Sequence, residues 1–396
     1  MTDSILKSPA HAGPIGIYVH VPFCRWPKCA YCDFYSVAWD ETLARRLVDT
    51  VSREFADALK DPFWRNSMAG SVFFGGGTPS LVGTEIIAEL IELFREEIEF
   101  DHQAEITLEC NPEDLDLSYA DGLRRAGVNR LSVGCQSFDG AVLEALGRCH
   151  GARSSHKALE TARAAGFERV SADLIIGCPG SSVESLANSV ETALQLGVEH
   201  LSIYGYHLET GASGWGRKGY GPVEDEAFRV QYLAACECLA RPGWRHYEIS
   251  NWAVGDPALC RHNLGYWQRR PYLGLGPSAH SFIPPDRRRW NLPDLDLYLE
   301  VGSRGRWEDD RGGEILDPGQ LALEKTMLGL RLDTGLTGSE LDEFAGESVA
   351  AALGELEAEG LVRVGKVGGR VSLTAEGFLL YDSVVGRLAA GRKVSA

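Results

Sequence analysis

Three cysteines fall within nine residues of this 396-residue chain: Cys24, Cys29 and Cys32, in Tyr18-Val-His-Val-Pro-Phe-Cys24-Arg-Trp-Pro-Lys-Cys29-Ala-Tyr-Cys32-Asp-Phe34. They follow an apolar, alternating run that reads as a strand, so a loop at the strand's end can turn its thiolates toward one metal centre. The count of three matters. A closed structural zinc site takes four protein ligands, whereas an iron–sulfur cluster held by three cysteines keeps one iron open for a substrate or cofactor. Competing readings are a zinc knuckle with His20 as fourth ligand, a redox disulfide, which has no use for a third cysteine, and a chance gathering of core cysteines.

The elements that must position this loop form a regular series. Strands are expected at Ile15–Val21, Ser71–Phe74, Ala104–Cys110, Arg130–Cys135, Val170–Ile176 and His200–Tyr204. Helices are expected between them at Glu41–Leu59, Glu85–Glu97, Asp116–Ala126, Ala141–Leu146, Ser155–Ala165 and Val183–Leu196. Such alternation with short connections predicts an α/β fold with a parallel sheet and right-handed crossovers. Each strand ends in polar or glycine-rich residues: the cysteine loop, Gly75-Gly-Gly-Thr78, Glu109 with Asn111, Gln136 with Ser137, Asp173, and Tyr204. Convergence of that kind suits strands feeding one site at the top of a partial (β/α)6 barrel better than a doubly wound sheet with one switch point.

Beyond about Thr210 the alternation stops. A helix over Glu224–Ala240 and a strand over Trp244–Ile249 precede two motif-dense stretches, Cys260-Arg-His-Asn-Leu-Gly-Tyr-Trp267 and Tyr272-Leu-Gly-Leu-Gly-Pro-Ser-Ala-His-Ser281. From Pro318 onward, helices at Leu321–Leu330, Thr337–Phe344 and Val349–Glu359 lead to short strands at Leu361–Val364 and Gly369–Leu373 that turn at Gly368-Gly369, with a last helix from Ala375. This predicts a winged-helix-like module. The expected division is 1–212 for the barrel, 213–317 for an α+β extension and 318–396 for the module.

Composition is that of an ordinary globular protein, with 44% hydrophobic and 24% charged residues. A formal net charge of −17 argues against a protein that coats nucleic acid. The short basic runs Arg269-Arg270 and Arg287-Arg288-Arg289 read as solvated faces. The first fifteen residues show no secretory pattern and no apolar run reaches membrane-spanning length. Ten cysteines in that context predict a reducing, cytoplasmic setting, with peripheral attachment at a membrane left open.

Eleven stretches occur in one order: YVHVPFC, YCDF, GGGTPS, EITLECNPED, RLSVGCQSFD, LGRCH, DLIIGCPG, YEISNW, CRHNLGYW, YLGLGPSAHSF and MLGLRL. Together they resemble, nearly end to end, one branch of the radical S-adenosylmethionine superfamily, comprising coproporphyrinogen III dehydrogenase (HemN) and the HemW-type heme chaperones. The resemblance implies a 4Fe–4S cluster on Cys24, Cys29 and Cys32 whose open iron holds S-adenosyl-L-methionine, the sulfonium of which is split on reduction to a 5′-deoxyadenosyl radical. It also implies that Gly76, Gly77 and Thr78 receive the cofactor's amino group on their backbone, where glycine permits close approach. Glu109, Gln136 and Asp173 would hydrogen-bond its ribose and amino groups. Arg148 would pair with the methionyl carboxylate, a charge-assisted contact, and Tyr18 would lie close to the sulfonium.

Within the branch, the dehydrogenase carries a fourth cysteine where this chain has Phe34, and a longer N-terminal extension than the seventeen residues before Tyr18. His262-Asn263-Leu264-Gly265-Tyr266-Trp267 matches the HNxxYW motif associated with heme binding, and imidazole is a heme-iron ligand. Cys260 and His280 are alternative ligands. The bland reading of His262 is a histidine capping a turn beside core aromatics. The resemblance therefore implies a heme chaperone that delivers heme to apo-hemoproteins, membrane respiratory enzymes among them, with a reductant for its cluster and the option of a homodimer. The alternative is oxidative decarboxylation of coproporphyrinogen III. One departure stands out: the family spaces its first two cysteines by three residues and this chain by four, Arg25-Trp-Pro-Lys28, so the loop must bulge, stiffened by Pro27.

Overall fold

A computed structural model of the chain describes residues 13–390, apart from 27, 30, 208–223, 242, 346–348 and 366–368. Pro27, the expected division near residue 212 and Gly368 of the expected wing turn lie outside the described residues.

Six parallel strands lie side by side in chain order: β1 (Ile15–Val21), β2 (Met68–Gly76), β3 (Glu99–Cys110), β4 (Arg130–Gln136), β5 (Arg169–Ile176) and β6 (His200–Gly205). Sequential order with a helix after each of the first five strands is the layout of a partial barrel. Residues pointing outward on these strands, among them Ile17, Val19, Val72, Phe74, Leu108 and Leu131, are fully buried against the helices. The helices present apolar faces to them: α1 (Glu41–Ala58) through Val48, Val51 and Phe55, and α2 (Thr84–Glu97) through Ile87, Leu90 and Phe94. Side-chain caps set where the helices begin. Asp40 accepts from Leu43 N at 2.9 Å at the start of α1, and Asp116 accepts from Tyr119 N at 2.8 Å at the start of α3 (Leu117–Ala126).

The chain from 224 onward extends the same sheet at both edges. On one side β7 (Trp244–Glu248) and β8 (Asn251–Val254) add antiparallel strands beyond β6. On the other, β9 (Tyr272–Leu275) pairs parallel with β1, with Gly274 opposite Tyr18, and β10 (His280–Ile283), β11 (Arg287–Asn291) and β12 (Arg311–Ile315) follow antiparallel. The full order is β12-β11-β10-β9-β1-β2-β3-β4-β5-β6-β8-β7. The strand character of β9 is concealed in the sequence, because its four residues include a glycine and carry no alternating pattern. A helix, α4 (Arg261–Trp267), occupies the HNxxYW stretch. The tail holds helices at Pro318–Leu330, Gly338–Ala345 and Val349–Ala358, the antiparallel pair Val362–Val364 with Val371–Leu373, and two closing helices, Ala375–Leu379 and Tyr381–Ala390. Among the described residues no helix is long and apolar enough to cross a membrane.

Candidate metal centre and cofactor site

Strand alternation sorts the barrel's residues. Apart from Phe73, which stacks on Tyr18 and His262, those facing inward are polar or small: Gly16, Tyr18 and His20 on β1, Ser71 and Gly75 on β2, Glu105, Thr107 and Glu109 on β3, Ser132 and Gly134 on β4, Asp173 on β5. The cysteine loop leaves the C-terminal end of β1, at the same end of the barrel as Gly76 and Glu109. It is fastened by a short parallel pair, Phe23–Cys24 with Val37–Ala38, through Val37 N to Pro22 O (2.7 Å) and Trp39 N to Cys24 O (3.0 Å). The four-residue spacer bulges outward with Trp26 68% exposed. Arg25 pairs with Asp114, which also accepts from Ser80 Oγ at 2.7 Å, and Lys28 Nζ donates to Phe34 O.

The three thiols are free and half-buried. Cys24 Sγ lies 3.5 Å from Thr78 Oγ1, and Cys29 Sγ accepts from Arg148 Nη1 at 3.3 Å. Arg148 Nη2 donates to Asn111 Oδ1 at 2.8 Å, and Asn111 Nδ2 to Thr78 Oγ1 at 3.4 Å. A closed network thus ties two cysteines to the ends of β2 and β3. Burial opposes the Arg148 charge, yet Tyr31 and Cys29 beside it hold the guanidinium firmly protonated. The zinc-knuckle reading fails on His20, whose Nδ1 is taken by Tyr18 OH (3.1 Å) and Nε2 by Tyr35 O (3.0 Å). Among the described residues no three His, Cys, Asp or Glu side chains converge on a single-ion position.

The glycine turn after β2 is sterically necessary. Gly76 has φ +112°, and a Cβ there would stand 2.7 Å from the His20 ring; at Gly77 it would stand 2.5 Å from Phe23 O. Thr78 N donates to Phe23 O at 2.7 Å and Gly77 N to Val21 O at 2.9 Å, so this turn locks against the start of the cysteine loop. Deeper in the barrel, Gly75 separates Tyr18 from Glu109: a Cβ at 75 would meet Tyr18 Cε2 at 3.0 Å and Glu109 Oε2 at 3.2 Å. Asp173 accepts from Ser132 Oγ at 3.0 Å through both carboxylate oxygens. Gln136 takes φ +64° at a register shift ending β4. A non-glycine residue in that region stores strain of the sort found at binding sites.

Burial and then the nearby Asp173 push the Glu109 carboxyl up to about 8, against the opposing Gly76 N–H. Between the unfolded value of 4.5 and about 8, the folded chain therefore holds a proton that the unfolded chain has lost. Stability of the cluster-free protein is expected to fall as pH rises through that window. Glu109→Gln should flatten the slope, as read from urea midpoints at its two ends.

The residues fit a cluster and an amino-acid-bearing cofactor. Three thiols stand at one barrel mouth, and Arg148 Nε is buried there without a hydrogen-bond partner, a donor suited to a carboxylate. Tyr18, Gly76, Gly77, Thr78, Glu109, Gln136, Arg148 and Asp173 line this end and the interior beneath it. Phe34 sits in the loop 63% exposed. Asn111 joins the set as the link between Arg148 and Thr78. Its signal was a polar residue at the end of β3, in the same Asn-Pro turn as Glu109.

His262 is placed elsewhere. It lies on α4 under the opposite end of the barrel, beside Gly16 and Ser71, 3% exposed. Its Nδ1 is 2.9 Å from Ser71 Oγ and its Nε2 2.8 Å from Tyr266 OH, and burial pushes its pKa down to about 3. The ring is a neutral, doubly bonded part of the barrel floor. The cleft beside it measures about 60 Å³, against roughly 300–1,000 Å³ for pockets that enclose organic ligands. The expected heme ligation by His262 thus finds neither a free nitrogen nor space in this conformation. Cys260, also buried, is spent on Glu105 Oε1 at 3.6 Å.

Partial barrel, three-cysteine loop and glycine turn together define a radical S-adenosylmethionine protein, and comparison with known proteins agrees. The Radical SAM superfamily profile matches residues 18–193. The chain is 35% identical over 389 residues to the heme chaperone HemW of Mycobacterium tuberculosis, covering 96% of this chain and 95% of that protein. It is 31% identical to the heme chaperone HemW of Bacillus subtilis over 93% and 97% of the two chains. The chain belongs to the HemW family of radical SAM proteins. Among solved structures, coproporphyrinogen III oxidase (HemN) from Escherichia coli shares the fold at a TM-score of 0.79 and 24% identity, over 95% of this chain and 90% of that one.

Proposed function

We propose that this chain is a heme chaperone that carries a 4Fe–4S cluster, binds S-adenosyl-L-methionine and heme, and passes heme to apo-hemoproteins. The observation that carries the choice over porphyrinogen oxidation is Phe34, exposed in the loop two residues past Cys32. The names of the full-length relatives support the same reading.

In this proposal Cys24, Cys29 and Cys32 hold the cluster, and Arg148, steered by Asn111, receives the cofactor carboxylate. Gly76, Gly77 and Thr78 offer backbone to its amino group. Glu109, Gln136 and Asp173 take its remaining polar groups, and Tyr18 closes the interior side. When bound, the cluster supplies one-electron reduction of the sulfonium, for which a cellular reductant is required. Burial and then the Glu109 charge keep the Tyr18 phenol protonated, so it stands as a neutral hydrogen-bonding wall. Apo-hemoproteins, membrane respiratory enzymes included, are the proposed recipients.

Anaerobic cluster reconstitution followed by two titrations tests this. Ferric heme should give a protein-bound Soret band at stoichiometric ratio and transfer to an apo-hemoprotein, while coproporphyrinogen III is returned unchanged. Conversion of coproporphyrinogen to protoporphyrinogen with cofactor cleavage, and no heme binding, would sink the proposal.

A further inference from the structure

We infer that the cavity between the end of α1 and strands β10 to β12 binds a small organic anion, an apolar body bearing a phosphate or carboxylate group, with Arg289 as its principal partner. The site is separate from the cluster mouth, none of whose residues lines it.

The run Arg287-Arg288-Arg289, expected as one solvated face, is divided by the strand that carries it. Arg288 turns to Glu314 at 3.0 Å and to Glu324. Arg287 and Arg289 share the opposite face with Asn291, whose Nδ2 donates to Glu54 of α1 at 2.8 Å. On that face the ladder sets small residues on both sides of Arg289, Ser281 on β10 and Gly313 on β12. It sets isoleucines on both sides of Arg287, Ile283 and Ile315. A Cβ at Gly313 would meet only Arg288 O, at 3.2 Å, so the room beside Arg289 comes from a missing side chain. Trp64 and Trp307, both almost fully buried, and Ala58 complete the apolar walls. The space measures about 710 Å³, within the roughly 300–1,000 Å³ of pockets that enclose organic ligands.

The charges around this space leave Arg289 without a counter-ion. Its Nη2 is buried with no hydrogen-bond partner, and among the described residues no ion pair engages Arg289 or Arg287. The nearby carboxylates are committed elsewhere: Asp57 to Arg311 Nη1 at 3.2 Å and Lys60 Nζ at 2.9 Å, Asp61 to Phe63 N at 2.9 Å, and Glu314 to Arg288. Arg311 lies 5.2 Å over the Trp307 ring, and its Nε is likewise buried and unpartnered. Burial and then Arg311 push the Arg289 pKa down, against the pull of Glu54, Asp57 and Asp61. A shielded guanidinium lacking an acceptor is costly, and its planar fork matches the oxygens of a phosphate or carboxylate. A bare inorganic ion would leave the tryptophan and isoleucine walls uncovered, so the ligand carries an apolar body. Arg287 and Ile315 stand exposed at the rim, which leaves the entrance open.

The test uses the full-length, cluster-reconstituted protein and calorimetric titration with phenyl phosphate, benzoate and neutral benzyl alcohol at constant ionic strength. At least one of the two anions should bind at one site per chain, and the tighter of them identifies the head group. Arg289→Gln should weaken that binding roughly ten- to hundredfold, the worth of a charge-assisted hydrogen bond. Arg287→Gln, at an exposed position, should weaken it less. Without ligand, the urea midpoint of Arg289→Gln should equal or exceed that of wild type, because an unpaired buried charge has been removed; a lower midpoint would make Arg289 a structural residue and overturn the assignment. Wild-type affinity in Arg289→Gln, equal binding of benzyl alcohol, or no binding of either anion would also overturn it. Saturating S-adenosylmethionine should leave the anion's affinity unchanged, and competition between the two would move the anion to the cluster mouth and sink the proposal.

Discussion

Cys29→Ala is expected to abolish cluster assembly: iron after anaerobic reconstitution drops from about four atoms per chain to a trace, and the brown charge-transfer absorption is lost. The three thiols lie in one loop of nine residues, and four of the remaining seven cysteines, Cys110, Cys135, Cys178 and Cys260, are buried in the core. The variant separates two roles at this mouth. Arg148 touches Cys29 Sγ at 3.3 Å and Asn111 at 2.8 Å, so a cluster defect could arise from disturbing the network. Arg148→Lys keeps the charge but loses the planar fork. Its expected phenotype is full iron content with cofactor binding weakened by about 1.5–3 kcal/mol, the loss of one charge-assisted hydrogen bond. Iron analysis beside equilibrium binding of S-adenosylmethionine reads both. Full iron content in Cys29→Ala would remove the cluster assignment.

Glu105→Ala should be the most destabilising single change in the barrel. Glu105 is 0% exposed and accepts from His262 N at 3.1 Å, Arg261 N at 3.2 Å and Cys260 Sγ at 3.6 Å, pinning the start of α4 beneath the sheet. Its carboxylate also lies 4.0 Å from Arg130, itself 2% exposed, and 3.9 Å from Arg169. Removing it leaves a buried guanidinium whose remaining contact is Arg130 Nη1 to Ala258 O at 2.9 Å. Stranding one member of a buried pair costs roughly 3–5 kcal/mol, so the urea midpoint should fall sharply. Glu105→Gln, which retains an acceptor for the two backbone N–H groups, should recover part of the loss. Equal midpoints for wild type and Glu105→Ala would mean that α4 does not depend on this carboxylate.

The two variants bracket the molecule's two ends. At the mouth, polar groups are left with capacity to spare, as the unpartnered Arg148 Nε shows. At the floor every polar atom of His262 and the Glu105 carboxylate is spent within the fold. Binding chemistry belongs where donors and acceptors remain available, and structural chemistry where they do not.

By itself the sequence determined the series of six strands and their helices, the polar and glycine-rich strand ends that share one end of the barrel, and the gathering of three cysteines in one loop. Each rests on a local signal. Apolar period reveals strands and helices, glycines reveal the β2 turn, and three cysteines within nine residues need no long-range information to share a loop. The tertiary structure decided what depends on contacts distant in sequence. Asn111 became a site residue only when Arg148, 37 positions away, proved to bond it. Strand β9 took its place beside β1 through pairing across 256 positions between Gly16 and Tyr272, which no local pattern encodes. Most of all, His262 and His280 look alike in the sequence, each in an aromatic, glycine-bearing motif. Only packing separates them, since Ser71 and Tyr266 close around one ring while the other stays exposed and stacked on Trp290.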